Sequence, residues 1–479
     1  MEIKKINCFF YMFIIFAASL SGCITSFSPK DSVVAVRPGE TQVFTIKTSP
    51  VYQEYEWLLD GIRQNGTGNS YEYTPDESDT GEHEVRVIAG SDRHSWKVLV
   101  KSITWEKTYD VGSSNISYSS NTVLQTDDGG YVVAGITDSR LTILRLDSAG
   151  NRLWDRKLDN FYDYNKPKIS IAQAKNGGFA VVLTQSIEVG YSDYEENVIA
   201  IKLDKLGNVE WSQYYIKNVE SKLISFKKVT DGGYLLYANK LPVGLVLIKL
   251  DDDLMISWEI NFESFGYPTE VIETDDGGFN VVFGEYYGIN LKRYDSSGNF
   301  VWEKDNKYCS GFCNDSIIPA DHGGFLIYSG KLTTKFDQKG DTQWEFKGIT
   351  NPINRSDSLH TIKHANDGGY IIGGSSRLFP IEGYFCLPIY DCIAGICRWK
   401  IFCGLFPIKE FASDAWVSKI DSAGDFEWSR YYGDTIDNYS IESISQTSDG
   451  GFIAAGRKTS RDGSTNMFYV IKLDMNGNL

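Results

Sequence analysis

The sequence predicts an all-β protein, a seven-bladed β-propeller of four-stranded antiparallel blades preceded by a small β-sandwich. Three observations carry this. Aromatic residues make up 14% of the 479 positions and 45 positions are Gly, the mixture expected of short strands joined by tight turns. A Gly-Gly-aromatic tripeptide recurs seven times, with first glycines at Gly129, Gly177, Gly232, Gly277, Gly323, Gly368 and Gly450. Downstream of each lies a basic–apolar–Asp triplet, and six of these Asp residues are followed, seven positions on, by Trp: Trp154, Trp211, Trp258, Trp302, Trp344 and Trp428.

The N-terminus reads as an export signal. Lys4 and Lys5 precede an apolar run from Cys8 to Leu20, too short for a confident membrane span, and the run ends in Leu20-Ser21-Gly22-Cys23. Leu-Ser-Gly-Cys resembles the lipobox of prokaryotic lipoproteins. That resemblance implies removal of residues 1–22 and lipidation of Cys23, so that the protein is held on the extracytoplasmic face of the cell membrane or outer membrane, with 23–28 as a tether.

Residues 29–102 lie outside the repeat and alternate like short strands. Trp57 and the Asp79-Thr80-Gly81-Glu82-His83 corner resemble an immunoglobulin-like or PKD-like sandwich, with His83 where such folds carry Tyr and without their paired cysteines. Its expected role is to space the propeller from the membrane.

From residue 103 onward each repeat reads as four strands. The first precedes Gly-Gly, whose corner needs positive φ. The second follows it, the third ends in the basic–apolar–Asp triplet, and Asp-x-x-Gly turns into a fourth strand carrying Trp. The seventh repeat stops at Asn478-Leu479, before its Trp strand. The unused segment Ile103-Thr104-Trp105-Glu106-Lys107 is expected to supply it, so that residues 103–110 close the ring and remove its free edge. The repeats resemble the Asp-Gly-Gly-Tyr … Lys-Leu-Asp-x-x-Gly-Asn-x-x-Trp units of secreted prokaryotic propeller proteins, cousins of quinoprotein-type and Asp-box propellers.

Repeat lengths vary unevenly. Gly-Gly to the triplet Asp spans 13 residues from Gly324 to Asp337 but 52 from Gly369 to Asp421. Insertions therefore lie mostly in the loops after the second strands, which emerge on the same face as the connections after the fourth strands, and this variable face is the expected binding face. The largest insertion, 378–412, carries Cys386, Cys392, Cys397 and Cys403. In an exported protein these read as two disulfides, with three pairings open; Cys309 and Cys313, in a connection on the same face, are further candidates. Tyr162, Tyr164, Tyr267, Tyr390, Trp399 and Tyr439 are candidate ligand contacts because Tyr and Trp give rigid area with a polar tip.

No catalytic constellation, metal motif or cofactor fingerprint is visible, so no cofactor and no enzymatic activity are expected. His360 and His364 fall in a predicted innermost strand, where a structural role is expected. The net charge of −16 disfavours nucleic acid. The expected function is that of a membrane-anchored monomeric propeller binding a protein or carbohydrate. An envelope-complex scaffold and a polysaccharide-active enzyme with paired channel acids are the alternatives.

Overall fold

In the computed structural model the described residues run from 23 to 479, apart from 112–120, 160–167, 218–220, 241–243, 263–266, 307–316, 321–323, 347–354, 379–382, 407–411 and short gaps of one or two residues. The described residues form strands and turns and no α-helix. The chain divides into two compact units, Met1–Ile103 with Ser448–Gly451, and Thr104–Thr447 with Phe452–Leu479.

In the first unit a three-stranded sheet (Cys23–Ser28, Gln42–Ser49, Ser70–Tyr73) and a five-stranded sheet share one core around Phe44, Trp57, Val85 and Trp96. Residues 23–28, expected as a tether, instead form the edge strand Cys23–Ser28, with Cys23 opposite Ser49. Two contacts explain this. Ile24 and Phe27 pack on the shared core, and Phe27 stacks on His94 at 3.7 Å. His83 holds the corner by its ring nitrogens, with Nδ1 2.6 Å from the Asp60 carboxylate and Nε2 at the Asp79 carbonyl.

The second unit contains, among the described residues, seven four-stranded antiparallel sheets. The first strand of each lies beside the first strand of the next, from Thr122–Gln125 round to Asn438–Gln446, which lies beside Thr122–Gln125 again. This cyclic packing of antiparallel sheets is that of a β-propeller. The last sheet is completed by Trp105–Tyr109, which pairs with Asn466–Leu473 so that Trp105 faces Lys472.

Every repeated residue has a physical task at one end of the sheets. The first glycine of the corner turns at positive φ, for example 77° at Gly129 and 85° at Gly368. The second is needed for room: a Cβ on Gly178 or Gly369 would strike the backbone carbonyl of Leu203 or Ile420. The basic residue of the triplet reaches back to the carboxylate before Gly-Gly, as in Lys419 to Asp367 at 2.9 Å and Arg145 to Asp128. The triplet Asp orders its own turn; Asp147 accepts from the Asn151 amide at 2.7 Å, and Asp295 and Asp474 repeat the pattern. In the third sheet Leu254 takes the glycine's place at φ 65° and buries its side chain.

The Trp of each fourth strand clamps the neighbouring sheet. Trp154 packs on Gly207, Trp344 on Gly424 and Trp428 on Gly477. Trp105 does the same across the closure, where it lies on Gly150 and donates from Nε1 to Ser148 O at 3.0 Å. Four residues after three of the Trp residues a Tyr hydroxyl adds a second tie: Tyr109 to Gly150 O, Tyr215 to Leu254 O and Tyr432 to Gly477 O, at 2.6–2.7 Å.

Candidate functional site

At the opposite end a bulge recurs in the first strands of the third, fourth, sixth and seventh sheets, but the residue on it differs from sheet to sheet. Between the sixth sheet (Arg355–His364, Tyr370–Leu378, Ser413–Ile420, Phe426–Tyr432) and the seventh this end opens into a cleft of about 570 Å³. Its walls come from strand ends that face the variable loops: Ser358 and His360, Ser375 and Arg377, Ser413, Asn438 to Ser440, Arg457 and Thr459. Hydroxyls, one amide, two guanidinium groups and an imidazole make the lining polar and cationic, in a chain whose net charge is −16.

Local backbone irregularity places the chemistry. The pairing register shifts between Leu359 and Thr361, and again between Ile441 and Ser443. His360 and Glu442 are therefore the bulged residues of adjacent first strands. Each precedes its Gly-Gly by eight residues, so they hold the same place in two repeats. The His360 Nδ1 lies 3.1 Å from the Ile441 carbonyl and 3.3 Å from the Glu442 carboxylate. The second Glu442 oxygen accepts from the Ser440 hydroxyl at 2.8 Å.

Electrostatics make this an ion pair. Burial opposes a charged imidazole at His360, but the hydrogen bond and charge of Glu442, with the Ile441 carbonyl, outweigh it and raise the pKa above its ordinary 6.5. Burial also works against a charged Glu442. His360, the Ser440 hydroxyl and the Arg457 charge overcome this and hold its pKa below 4.5.

Ser375 Oγ lies 3.5 Å from His360 Nε2, so serine, histidine and carboxylate stand in line. Nucleophilic catalysis needs a neutral imidazole to take the serine proton. The carboxylate that raises the His360 pKa makes the neutral ring a stronger base and the charged ring a good anion partner.

Beside the cleft, Tyr439 is buried and its hydroxyl donates to Asp434 at 2.9 Å, while the Lys458 ammonium sits 5.1 Å above its ring and 3.1 Å from Asp437. Burial would raise the Asp434 carboxyl, but backbone amides, the Tyr439 hydroxyl and Lys458 bring it down to about 2. Tyr439 is thus a fixed wall of the cleft. Inside the ring, Lys227 pairs with the buried Glu270 at 3.0 Å. Burial would raise the Glu270 pKa; the charges of Lys227 and Lys168 lower it. Among the described residues no group of three or more His, Cys, Asp or Glu is arranged to hold a metal ion.

The other residues singled out from the sequence fall as follows. Tyr390 and Trp399 face each other in a two-stranded hairpin within the insertion, Gly383–Ile393 with Ile396–Phe406. The same register sets Cys386 opposite Cys403 and Cys392 opposite Cys397. Tyr267 heads the first strand of the fourth sheet, opposite Gly284 and away from the cleft sheets. Tyr162, Tyr164, Cys309 and Cys313 lie outside the described residues. His360, Glu442, Ser375, Arg377 and Arg457 were not selected from the sequence as site residues. Superposing the repeats does not single out His360 and Glu442, because the position eight before Gly-Gly is apolar only at Ile169 and Ile224 and is polar in the other repeats, at Asn121, Thr269, Asp315, His360 and Glu442.

No protein-family model matches the chain, and no curated protein matches it. Among solved structures it is similar to virginiamycin B lyase from Staphylococcus aureus (12% identity, 77% of this chain and 99% of that one, TM-score 0.46). It is also similar to Raptor from Chaetomium thermophilum (12%, 77% and 29%, 0.45) and to a quinoprotein alcohol dehydrogenase-like protein from Bacteroides thetaiotaomicron (12%, 87% and 97%, 0.25). At these scores the likenesses carry no argument about activity.

Proposed function

We propose that the chain is an exported lipoprotein, anchored at Cys23, whose seven-bladed propeller binds an acidic glycan in the cleft between its sixth and seventh blades. The observation that carries this reading is the lining of that cleft, with Arg377 and Arg457 beside the His360–Glu442 pair, among hydroxyls and an amide. Guanidinium groups suit carboxylates or sulfates, and the hydroxyls and amide suit sugar hydroxyls. In an acidic protein this local reversal of charge favours an anionic ligand over a neutral one. In this reading the first unit is an immunoglobulin-like sandwich that acts as a spacer, and a strand that begins at Cys23 supports a short path from anchor to sandwich.

Calorimetric titration of the chain lacking residues 1–22 with oligogalacturonides and with matched neutral oligosaccharides tests the reading. Binding of the charged series alone is expected, weakened by salt and at least tenfold by Arg377→Glu. Equal binding of both series, or no effect of Arg377→Glu, would contradict it.

A further inference from the structure

The insertion between the second and third strands of the sixth sheet decides a question its cysteine count leaves open. Four cysteines allow three pairings. Their order is symmetric: Cys386 and Cys392 are six apart, as are Cys397 and Cys403. Symmetric spacing about a centre is what two rungs across one hairpin require. The hairpin has that register, with Cys386 opposite Cys403 and Cys392 opposite Cys397.

Strand dimensions exclude the other two pairings. Successive residues in a strand advance about 3.3 Å, so cysteines six apart on one strand are separated by about 20 Å. Pairing Cys386 with Cys392 and Cys397 with Cys403 needs that span closed. Pairing Cys386 with Cys397 and Cys392 with Cys403 meets the same offset along the ladder. A disulfide tolerates Cα separations of only about 4.4–6.8 Å. Facing residues of an antiparallel pair lie about 4.5–5.5 Å apart, inside that range. The two facing pairs also differ by an even number of residues, so both fall on the same side of the ladder.

We infer that the insertion is a hairpin stapled by two nested disulfides, Cys386–Cys403 and Cys392–Cys397. Between the rungs the register sets Tyr390 opposite Trp399 and Pro388 opposite Ile401. The rungs fix the register, because a slip of one residue would exchange the two sides of the hairpin. The staple therefore fixes the register of an arm that leaves the sixth sheet after Arg377 and returns at Ser413, two cleft residues.

Each rung joins two thiols, releasing two protons and two electrons. A thiol–disulfide oxidoreductase in its disulfide form accepts them and becomes a dithiol. That oxidation in the cell rests on the export reading above; the choice of partners does not.

The test counts free thiols by maleimide labelling and mass spectrometry. It uses the full chain, trapped at lysis and again after unfolding and refolding with glutathione and its disulfide. Removing facing partners together, Cys386→Ser with Cys403→Ser, is expected to add no free thiol relative to the unsubstituted chain. Removing Cys386→Ser with Cys392→Ser is expected to add two. Peptides linked Cys392–Cys397 after digestion at acid pH are expected in both samples. Nested links on refolding but free thiols in cells would keep the pairing and overturn the export reading. Two new thiols in the facing-pair variant, or four unlinked cysteines after refolding, would overturn the inference.

Discussion

The two ends of the propeller sheets obey opposite rules. At the turn end the same device recurs from sheet to sheet: an Asp that orders its own turn, glycines that give positive φ and room, a basic residue reaching back, and a Trp pressed on the next sheet. At the loop end the first-strand bulge recurs in four sheets while the residue on it changes, and there two bulged residues of neighbouring sheets meet as the His360–Glu442 ion pair beside a cleft lined by Arg377 and Arg457. Repetition marks what every sheet needs to join the ring. Departure from it marks what one place needs in order to bind. The same position before Gly-Gly illustrates this: Ile169 there belongs to the core of the first and second sheets, whereas His360 and Glu442 hold charge.

Substitutions at the two ends sharpen the contrast. The largest loss is expected at the turn end for Gly178→Ala, because the new methyl meets a backbone carbonyl that cannot swing aside. We expect about 3 kcal/mol or more from denaturant unfolding; a cost below about 1 kcal/mol would show that the corner yields. Trp105→Ala removes the clamp across the closure, and since the ring is only partly buried the expected loss is about 2–3 kcal/mol. Loss of less than that from this variant, with unchanged cooperativity, would mean that the closing strand contributes little.

Glu442→Gln tests the loop end. The pair costs desolvation and is partly screened, so about 1–2 kcal/mol is expected. The pH dependence is more telling. His360, with its raised pKa, stabilises fully below about 6.5 and loses this as pH rises through the folded value. Glu442, with its lowered pKa, stabilises above about 4.5 and loses this as pH falls through the folded value. The native chain should therefore gain most over Glu442→Gln between about pH 4.5 and 6.5. Parallel stability curves from pH 4 to 8 would remove the ion pair from the account. The smallest effect, about 1 kcal/mol, is expected from Tyr432→Phe, which deletes one buried hydroxyl tie to Gly477.

Much of the second unit was legible because its residues repeat. The Gly-Gly corner, the Asp turn and the Trp offset are each local, so a short window displays them, and Trp105 was identifiable as the partner of the last strands by elimination. The cleft was not legible in the same way. His360 and Glu442 are 82 positions apart, and only the bulges and the packing of adjacent first strands bring them together. The hairpin inside the insertion has no repeat to compare with. In the first unit, Cys23–Ser28 reads as a tether only because it follows the lipobox-like run, and its pairing with Gln42–Ser49 is a contact that no local window displays.

Hydrogen exchange with and without a saturating oligogalacturonide tests the division between the two ends most directly. Slower exchange is expected in peptides spanning 355–360, 373–378, 413–416 and 438–459, with no change in the Asp turns at 147–151, 204–208 and 295–299. Protection of those turns, or protection spread evenly around the ring, would contradict a single binding end.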